Sequence, residues 1–444
     1  MFKLSVHYIY VLFFILFIGC LNSVYKTMKG SAMDKFNPTT RKIVQVMGAV
    51  ALLGCAFTQQ TLAEENWKLS LKNAYIDRDF DNDAVKDTGS WSQGVSLFYT
   101  SDYQKTPFDQ LEIGLDASAQ YAIRLSSDKH VSDSVLPFDS ASQSQADDFK
   151  KYGGTLKLKY QDNVLRVGEL WLDTPLTSVD GSRQLLSSYM GANFNSKVND
   201  QLGIEVGHVS RVSARNEEDF EKFSYSKNGV KHESDGLTYV DVRYKFNDAL
   251  KGEYYFGNLS DLFDLHYVGL DHTLKMTDDL ALNSKVKYFN AQDNSKALQL
   301  DTQNVGILET VKYKNHSLGL GYQQIIGHAY PLLDGFMPET YFINWNVTGF
   351  AKEEEKSYHA IYSYNFKDQI PGLNAIAKYA YGTDIKMADG RKNKESELDL
   401  ILAYQIQHPM LKGTGFQYMF VDYDVDHGND FQENRVFLTY TKKF

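Results

Sequence analysis

TYVDVRYKF, residues 238–246, alternates without a break: Thr238, Val240, Val242, Tyr244 and Phe246 fall on one face of an extended chain, and Tyr239, Asp241, Arg243 and Lys245 on the other. Successive side chains of a strand point to opposite sides, so this reads as a strand with one apolar and one polar surface. Two environments fit it. In a soluble sandwich the apolar face would point to a core. In a membrane barrel it would face lipid, with the polar face lining a lumen. One strand cannot separate these readings, but the chain around it can.

Alternating runs recur along the chain and are joined by eight tight turns. These lie near 101–109, 161–163, 198–200, 247–248, 276–279, 315–316, 367–371 and 407–412, and nearly all carry Asn, Asp, Gly or Pro. Between the hairpins lie longer polar segments, the largest being 124–150, 172–188, 212–235 and 327–355. Eight hairpins give sixteen strands. The first run, WKLSLKNAYIDRDF, and the last, NRVFLTYTKKF, add one each. A soluble sandwich has no reason to segregate short turns from long loops, whereas a membrane barrel does. The expected fold class is therefore all-β: a transmembrane antiparallel β-barrel of eighteen strands, with short periplasmic turns and long external loops.

The last strand fits that reading. Val436, Leu438, Tyr440 and Phe444 share the outward face, interrupted only by Lys442. A terminal aromatic on an amphipathic strand is the feature that outer-membrane barrel-assembly machinery recognises. That machinery and outer-membrane lipid are the expected macromolecular surroundings.

Composition excludes other classes. Beyond the first sixty-odd residues there is no run of about 18 apolar residues, so the chain is not a polytopic helical membrane protein. With 14% aromatic and 43% hydrophobic positions it is not a disordered chain either.

The leader is distinct from the rest. Lys35, Arg41 and Lys42 precede the apolar run IVQVMGAVALLGCAF and then TLA, ending at Ala63. This is an export signal over 33–63, with translation starting at Met33 or Met28 and cleavage after Ala63. Residues 1–32 then read as a mis-called upstream start. Leu52-Leu53-Gly54-Cys55 resembles a lipoprotein box but ranks below cleavage at Ala63. Both cysteines, Cys20 and Cys55, lie in the leader, so the barrel domain, 64–444, has none. Without the leader, 40 basic and 55 acidic positions give a net charge of about −15, which argues against a nucleic-acid partner.

No HExxH, GxSxG elbow, phosphate loop or metal cluster is present, so neither a cofactor nor an enzymatic role is expected. Asp422, Asp424, Asp426 and Glu433 have an EF-hand-like spacing, but His427 stands where the sharp turn needs Gly. A spacing of two is also one face of a strand, and the stretch is assigned to the last external loop.

Taken together, these residues resemble the OprD family of substrate-specific outer-membrane porins, the outer-membrane carboxylate channels. The resemblance runs through LKNAYIDRDF (71–80), WSQG (91–94), LRVGEL (165–170), DGSRQLL (180–186) and RVSARN (211–216). It continues through EYYFGNLSDLFDLHYVGLDHTL (253–274), LGLGYQQIIGHAYPLLDG (318–335), PGLNAIAKYAYGTDI (371–385) and ENRVFLTY (433–440). It implies a single barrel narrowed by two external loops folded into the lumen, the third, about 172–188, and the seventh. One wall would carry a ladder of Arg and Lys guiding carboxylate-bearing solutes, opposed by an electronegative pocket.

Arg78, Arg166, Arg183, Arg211 and Arg215 fall in matching stretches as ladder or constriction candidates, and Lys72 and Lys378 stand where the family commonly has Arg. Lysine keeps the charge but loses the bidentate fork. Ile361 and Gln417 occupy places where further basic residues are expected, so the ladder is thinner than the family pattern. Parity alone turns Arg166 inward, opposite Leu165 and Val167. Arg211 and Arg215, near a loop mouth, fit a solvated position as well as a lumen one. Asp173, Asp180 and Ser182 are candidates for the opposing acidic or polar side. Tyr330 would pack against solute or hold its loop together.

The expected function is passive, selective diffusion of small polar solutes (carboxylates, amino acids and antibiotics resembling them) through a pore in a monomer or loose trimer. A sugar or oligosaccharide pore is the alternative, and would show aromatics stacked along the lumen. A non-transporting barrel, enzyme or adhesion scaffold, would show an occluded lumen or a catalytic triad at the rim.

Overall fold

The computed structural model describes residues 66–127, 133, 135–295, 298–334 and 347–444. The expected leader, comprising the upstream segment 1–32 and the signal 33–63 with Cys55, lies outside the described residues. Among those described, eighteen long strands form one sheet. They are β1 Trp67–Phe80, β2 Thr88–Thr100, β3 Leu111–Arg124, β4 Asp148–Tyr160, β5 Asn163–Leu170 and β6 Ser188–Lys197. Next come β7 Leu202–Ser213, β8 Leu237–Lys245, β9 Leu250–Leu259, β10 Phe263–Lys275, β11 Leu280–Asp293 and β12 Asp301–Tyr313. The series ends with β13 His316–Gly327, β14 Lys356–Asn365, β15 Leu373–Lys386, β16 Lys392–Gln405, β17 Thr414–Val425 and β18 Phe431–Lys443. Each is antiparallel to the next. The ladder from Lys68↔Lys443 to Phe80↔Phe431 joins β1 to β18 and closes the barrel. The eighteen-stranded barrel expected from the alternation is the fold observed.

All eight tight turns gather at one rim, and their chemistry is local. Asn247 Oδ1 accepts from the backbone N–H groups of Ala249 (2.8 Å) and Leu250 (2.9 Å). Asn199 Oδ1 does the same for Gln201 and Leu202. A short amide side chain that bonds its own backbone two and three residues on makes the reversal without tertiary help. At the other rim four connections are long: 125–147, 171–187, 214–236 and 328–355. The remaining five, 81–87, 260–262, 294–300, 387–391 and 426–430, are short, which corrects the expectation of long loops all round that rim.

The stretch expected as the last loop is also mostly strand. Asp422 and Asp424 lie in β17, and only 426–430 turns. Because Val421, not Asp422, pairs with Glu433, the aspartates and Glu433 point to opposite faces and cannot share an ion. Among the described residues no group of carboxylates and histidines is arranged to hold a metal.

The two faces of the wall match the reading of TYVDVRYKF. Tyr239 and Asp241 are buried on the inner face, whereas Tyr244 is among the exposed large hydrophobics. Outside, Leu115, Leu156, Val268, Leu270, Val286 and Ile307 form an apolar band. Toward the tight-turn rim it is bordered by Trp67, Tyr160, Phe246 and Tyr313, and toward the other by Tyr75, Trp91, Tyr152 and Tyr358. Paired aromatic girdles flanking an apolar band are the outer surface of a transmembrane barrel.

The core sits inside the barrel. Loop 171–187 leaves β5 and spans the lumen: Trp171 packs on Phe98 of β2, the Asp173 carbonyl accepts from Arg243 of β8 (2.8 Å), and Lys72 of β1 holds its far limb. Leu172 and Leu176 of that loop, Phe223 of loop 214–236 and Tyr330 and Leu333 of loop 328–355 pack on Tyr189, Tyr239, Tyr255 and Phe289 of the inner wall. Val135 and Leu136 of loop 125–147 join Leu185 in a second cluster. Thus Val135 and Leu136 of one further loop, and Phe223 of another, also fold inward, beyond the two loops expected. Gly94 permits the close approach of the constriction loop to β2, since a Cβ there would collide with the Gln184 amide.

An arginine introduced at Val268, mid-strand on the apolar band, should cost about 2–4 kcal/mol of stability in lipid vesicles. Lys285→Ala, on the inner face, should change it by less than about 1 kcal/mol. Denaturant unfolding of both variants reads the difference.

Candidate functional site

A densely charged group inside the barrel is built by loop 171–187 where it meets β1, β18 and the start of loop 214–236. From β1, Lys72 Nζ donates to the carbonyls of Gly181 (2.8 Å) and Arg183. Along the same inner face, alternate residues of β1 run from Lys72 through Ala74 and Ile76 to Arg78. Arg78 donates through Nε to Glu433 Oε2 (2.7 Å) and its guanidinium lies 4.1 Å from the centre of the Phe431 ring. From β18, Arg435 pairs with Glu433 Oε1. From loop 214–236, Arg215 Nη1 donates to Asp180 Oδ2 (2.6 Å) and Ser182 Oγ (2.8 Å). Arg183 points into the middle of this group, within electrostatic reach of Arg435, Arg215, Glu433 and Asp180.

Arg183 and Arg435 are almost fully buried, at 6% and 1% exposure, yet neither is saturated. Arg183 Nε and Arg435 Nη2 have no hydrogen-bond partner among the described residues. Burial, with Arg435 and Arg215 alongside, pushes the Arg183 guanidinium well below its ordinary value. Burial works to raise the Asp180 carboxyl, but Arg215, the Ser182 hydroxyl and N–H, and Arg183 outweigh it and hold it below the ordinary carboxylate value. On the tight-turn side of this group lies a cavity of about 360 Å³, lined by Lys72, Ser182, Gln417, Met419, Arg435 and Phe437.

A second charged cluster ties loop 328–355 to the inner wall. Lys352 and Tyr423 both bond Glu395, and the Thr348 N–H donates to Glu397 Oε2 (2.8 Å). Behind them Lys378 reaches Asp399 at 2.7 Å and Glu397 at 3.5 Å, all three fully enclosed. Burial and the neighbouring Glu395 push the Glu355 carboxyl up to about 9, so it is protonated at neutral pH.

The sequence-derived candidates are therefore distributed unevenly. Lys72, Arg78, Arg183 and Arg215 converge. Arg166 faces inward from β5 on the tight-turn side, where its Nη1 lies 3.2 Å from the Asn195 side-chain oxygen once that amide is oriented to satisfy both neighbours. Arg211 is not brought to the cluster: a register shift after Val209 pairs it with Met190 while Val212 pairs with buried Tyr189, so it lies on the other face. Lys378 is enclosed in the second cluster rather than displayed on a ladder. Asp180 and Ser182 sit on the cationic side as partners of Arg215, not opposite it, because the loop that carries them folds onto β1. Asp173 contributes its backbone carbonyl, to Arg243. Tyr330 is 3% exposed and packs edge-on against Phe289 at 5.8 Å, holding its loop. Arg435 was not among the candidates, although parity finds it, since it alternates with outward Val436 and Leu438.

The family described as outer membrane porin, OprD family, matches residues 60–444. The chain belongs to the OprD family. It is 25% identical over 382 residues to the porin-like protein GalP of Pseudomonas putida, spanning 84% of this chain and 90% of the relative. Its fold matches the crystal structure of Acinetobacter baumannii OccAB4 with a TM-score of 0.84 and 63% identity, over 85% of this chain and 98% of that one. Pseudomonas aeruginosa OpdK, whose crystal structure was solved with vanillate, matches with a TM-score of 0.79 and 25% identity over the same shares. Membership places the porin in the bacterial outer membrane, as a passive channel rather than an enzyme.

The depressed Asp180 value has a pH consequence for this porin. A carboxyl held below its unfolded value contributes stability that is present above that unfolded value, near 3.9, and lost as pH falls through the folded one. Hydrogen-exchange protection across 180–187, measured against the intrinsic rate at each pH, should fall only in acid. Asp180→Asn should lower that protection at neutral pH, with loss of about 1.5–3 kcal/mol of local stability. Glu355 runs the other way: its contribution is full below about 4.5 and declines as pH rises toward 9. Glu355→Gln should therefore flatten the alkaline limb of a thermal-melting profile.

Proposed function

We propose that this porin passes small solutes carrying a carboxylate, and that Arg183 and Arg435 grip the carboxylate at the constriction. The observation that carries the reading is an excess of cation: buried Arg183 and Arg435 and part-buried Lys72, Arg78 and Arg215 stand, among the described residues, around the two carboxylates Asp180 and Glu433, and two guanidinium N–H groups are left unmatched. Buried charge is normally compensated, so a group of this kind favours an incoming anion. Guanidinium forks suit a planar carboxylate. Several cations in sequence, rather than one deep site, let the solute leave as well as enter. Phe437 and Met419 beside Arg435 favour a solute whose carboxylate is attached to an apolar group, and the cavity of about 360 Å³ suits a small one. Pseudomonas aeruginosa OpdK, solved with vanillate, is a relative with a ligand of that class.

The sugar reading has less support. Tyr189, Tyr239, Tyr255, Tyr267 and Phe289 do face inward, but they are buried under the loops rather than displayed as a stacking track.

Residues 64–444 reconstituted in a planar bilayer should give discrete openings with anion preference across a salt gradient. Benzoate should block or permeate at lower concentration than benzyl alcohol. Arg183→Ala and Arg435→Ala should each weaken the benzoate effect about tenfold, the scale of a lost hydrogen bond to a charged group. Equal effects of the two probes would overturn the carboxylate reading.

A further inference from the structure

The inner face of this porin carries two lysines whose ammonium groups are directed at the backbone of the constriction loop instead of at open lumen. Lys72 Nζ, on β1, donates to the carbonyls of Gly181 and Arg183. Lys151, on β4, is 3% exposed. Its Nζ donates to Leu186 O at 3.0 Å, Ser213 O at 3.1 Å and Ala214 O at 2.6 Å. An ammonium has three N–H donors and no acceptor, so Lys151 directs its full set at main-chain oxygens. We infer that Lys72 and Lys151 form a clasp that sets the aperture of the constriction, Lys72 fixing the limb that carries Arg183 and Lys151 joining the other limb to loop 214–236.

Three features support a positioning role. The first is placement: the two lysines grip the loop on either side of Arg183, at residues 181 and 183 from one wall and at 186 from another. The second is what surrounds them. Gln184 donates to Lys72 O (2.8 Å) and accepts from Ser92 Oγ (2.9 Å), and the Leu186 N–H donates to Gln120 Oε1 (3.1 Å). These neutral ties locate the loop along the wall, and the lysines add the charge-assisted bonds that are the stronger kind. The third is the acceptor type. A residue meant to attract solute leaves its donors toward the lumen, whereas the carbonyls of Gly181, Arg183 and Leu186, which lie in no strand, need donors from elsewhere. Lysine supplies several from one flexible stem.

The inference rests on the channel reading but separates from it experimentally. A ladder cation acts on charge selectivity, while a clasp acts on the size of the opening. Lys72→Met, Lys151→Met and Lys72→Arg would be measured against the unaltered porin in planar bilayers. Single-channel conductance, reversal potential and the exclusion limit for neutral polyethylene glycols of graded size would be read together. The expected result for either Met variant is a conductance raised on the order of twofold, with larger polymers admitted. Lys72→Arg, which keeps N–H donors, should stay near the unaltered exclusion limit. Unchanged conductance and exclusion limit with reduced anion preference would overturn the clasp and return Lys72 to the ladder. If a Met variant yields no heat-resistant barrel on a semi-native gel, Lys72→Gln is read by the same criteria. Absence of conductance in the unaltered porin would sink the channel reading, whereas normal conductance with unaltered apertures in the variants sinks the clasp alone.

Discussion

A backbone N–H or C=O left unpaired in hydrocarbon costs several kcal/mol, so the last strand of this sheet must find the first. The ladder between β1 and β18 satisfies that demand, and every other feature of the molecule is conditioned by it. Closure of eighteen strands leaves an interior too wide for wall side chains to fill, unlike that of an eight-stranded barrel. The remaining chain has to narrow it. Loop 171–187 does so by crossing from β8 to β1, and it is joined by segments from three further loops. The apolar clusters inside the barrel are thus products of closure: they form where loop meets wall.

That division explains how the inner charges are used. A loop inside a water-filled lumen brings backbone groups that no strand will pair, and side chains of the wall must meet them. Lys72, Lys151 and Gln120 take that work on loop 171–187, and Glu397 takes it beneath loop 328–355, where Glu395 holds the Lys352 side chain. Glu433 and Asp180 neutralise Arg78 and Arg215. Within the constriction cluster, Arg183 and Arg435 retain N–H groups beyond these duties. A count of lumen-facing Arg and Lys therefore overstates the charge presented to a solute, and the enclosed Lys378 triad is the clearest case.

Legibility in the sequence divides along the same line. Alternation has a period of two and an Asn-based turn is made by its own backbone neighbours, so β8 and the turns at Asn199 and Asn247 were legible from a few consecutive residues. Inward parity was legible wherever the strand was regular, as for Arg166. It does not extend to Arg211, which was left open between lumen and solvent, because the register shift after Val209 reverses the facing of the residues beyond it. The roles of Asp180, Ser182 and Lys378 were not legible, and Tyr330 was legible only as one of two alternatives, the loop-holding one being what the structure shows. Each is fixed by a partner distant in the chain, Arg215, Phe289 or Asp399, and for the loop residues no local pattern encodes the path that brings the two together.

The same distinction between local and global settles how the charge of the whole chain bears on its pore. Residues 64–444 carry a net charge of about −15, which by itself would favour cations. Yet many of those acids are exposed at the loop rim, among them Asp81, Asp83, Asp87, Glu218, Asp219, Asp389 and Asp426. At physiological ionic strength exposed charges are screened beyond about 8 Å, whereas enclosed ones are screened far less. Other acids, Glu395, Glu397 and Asp399, are already bonded to Lys352, Lys378 and the loop above them. Enclosed groups therefore weigh more on the potential inside the barrel than the exposed acids of the rim do. In the cluster around Arg183, four guanidinium groups, those of Arg78, Arg183, Arg215 and Arg435, stand with two carboxylates, Asp180 and Glu433.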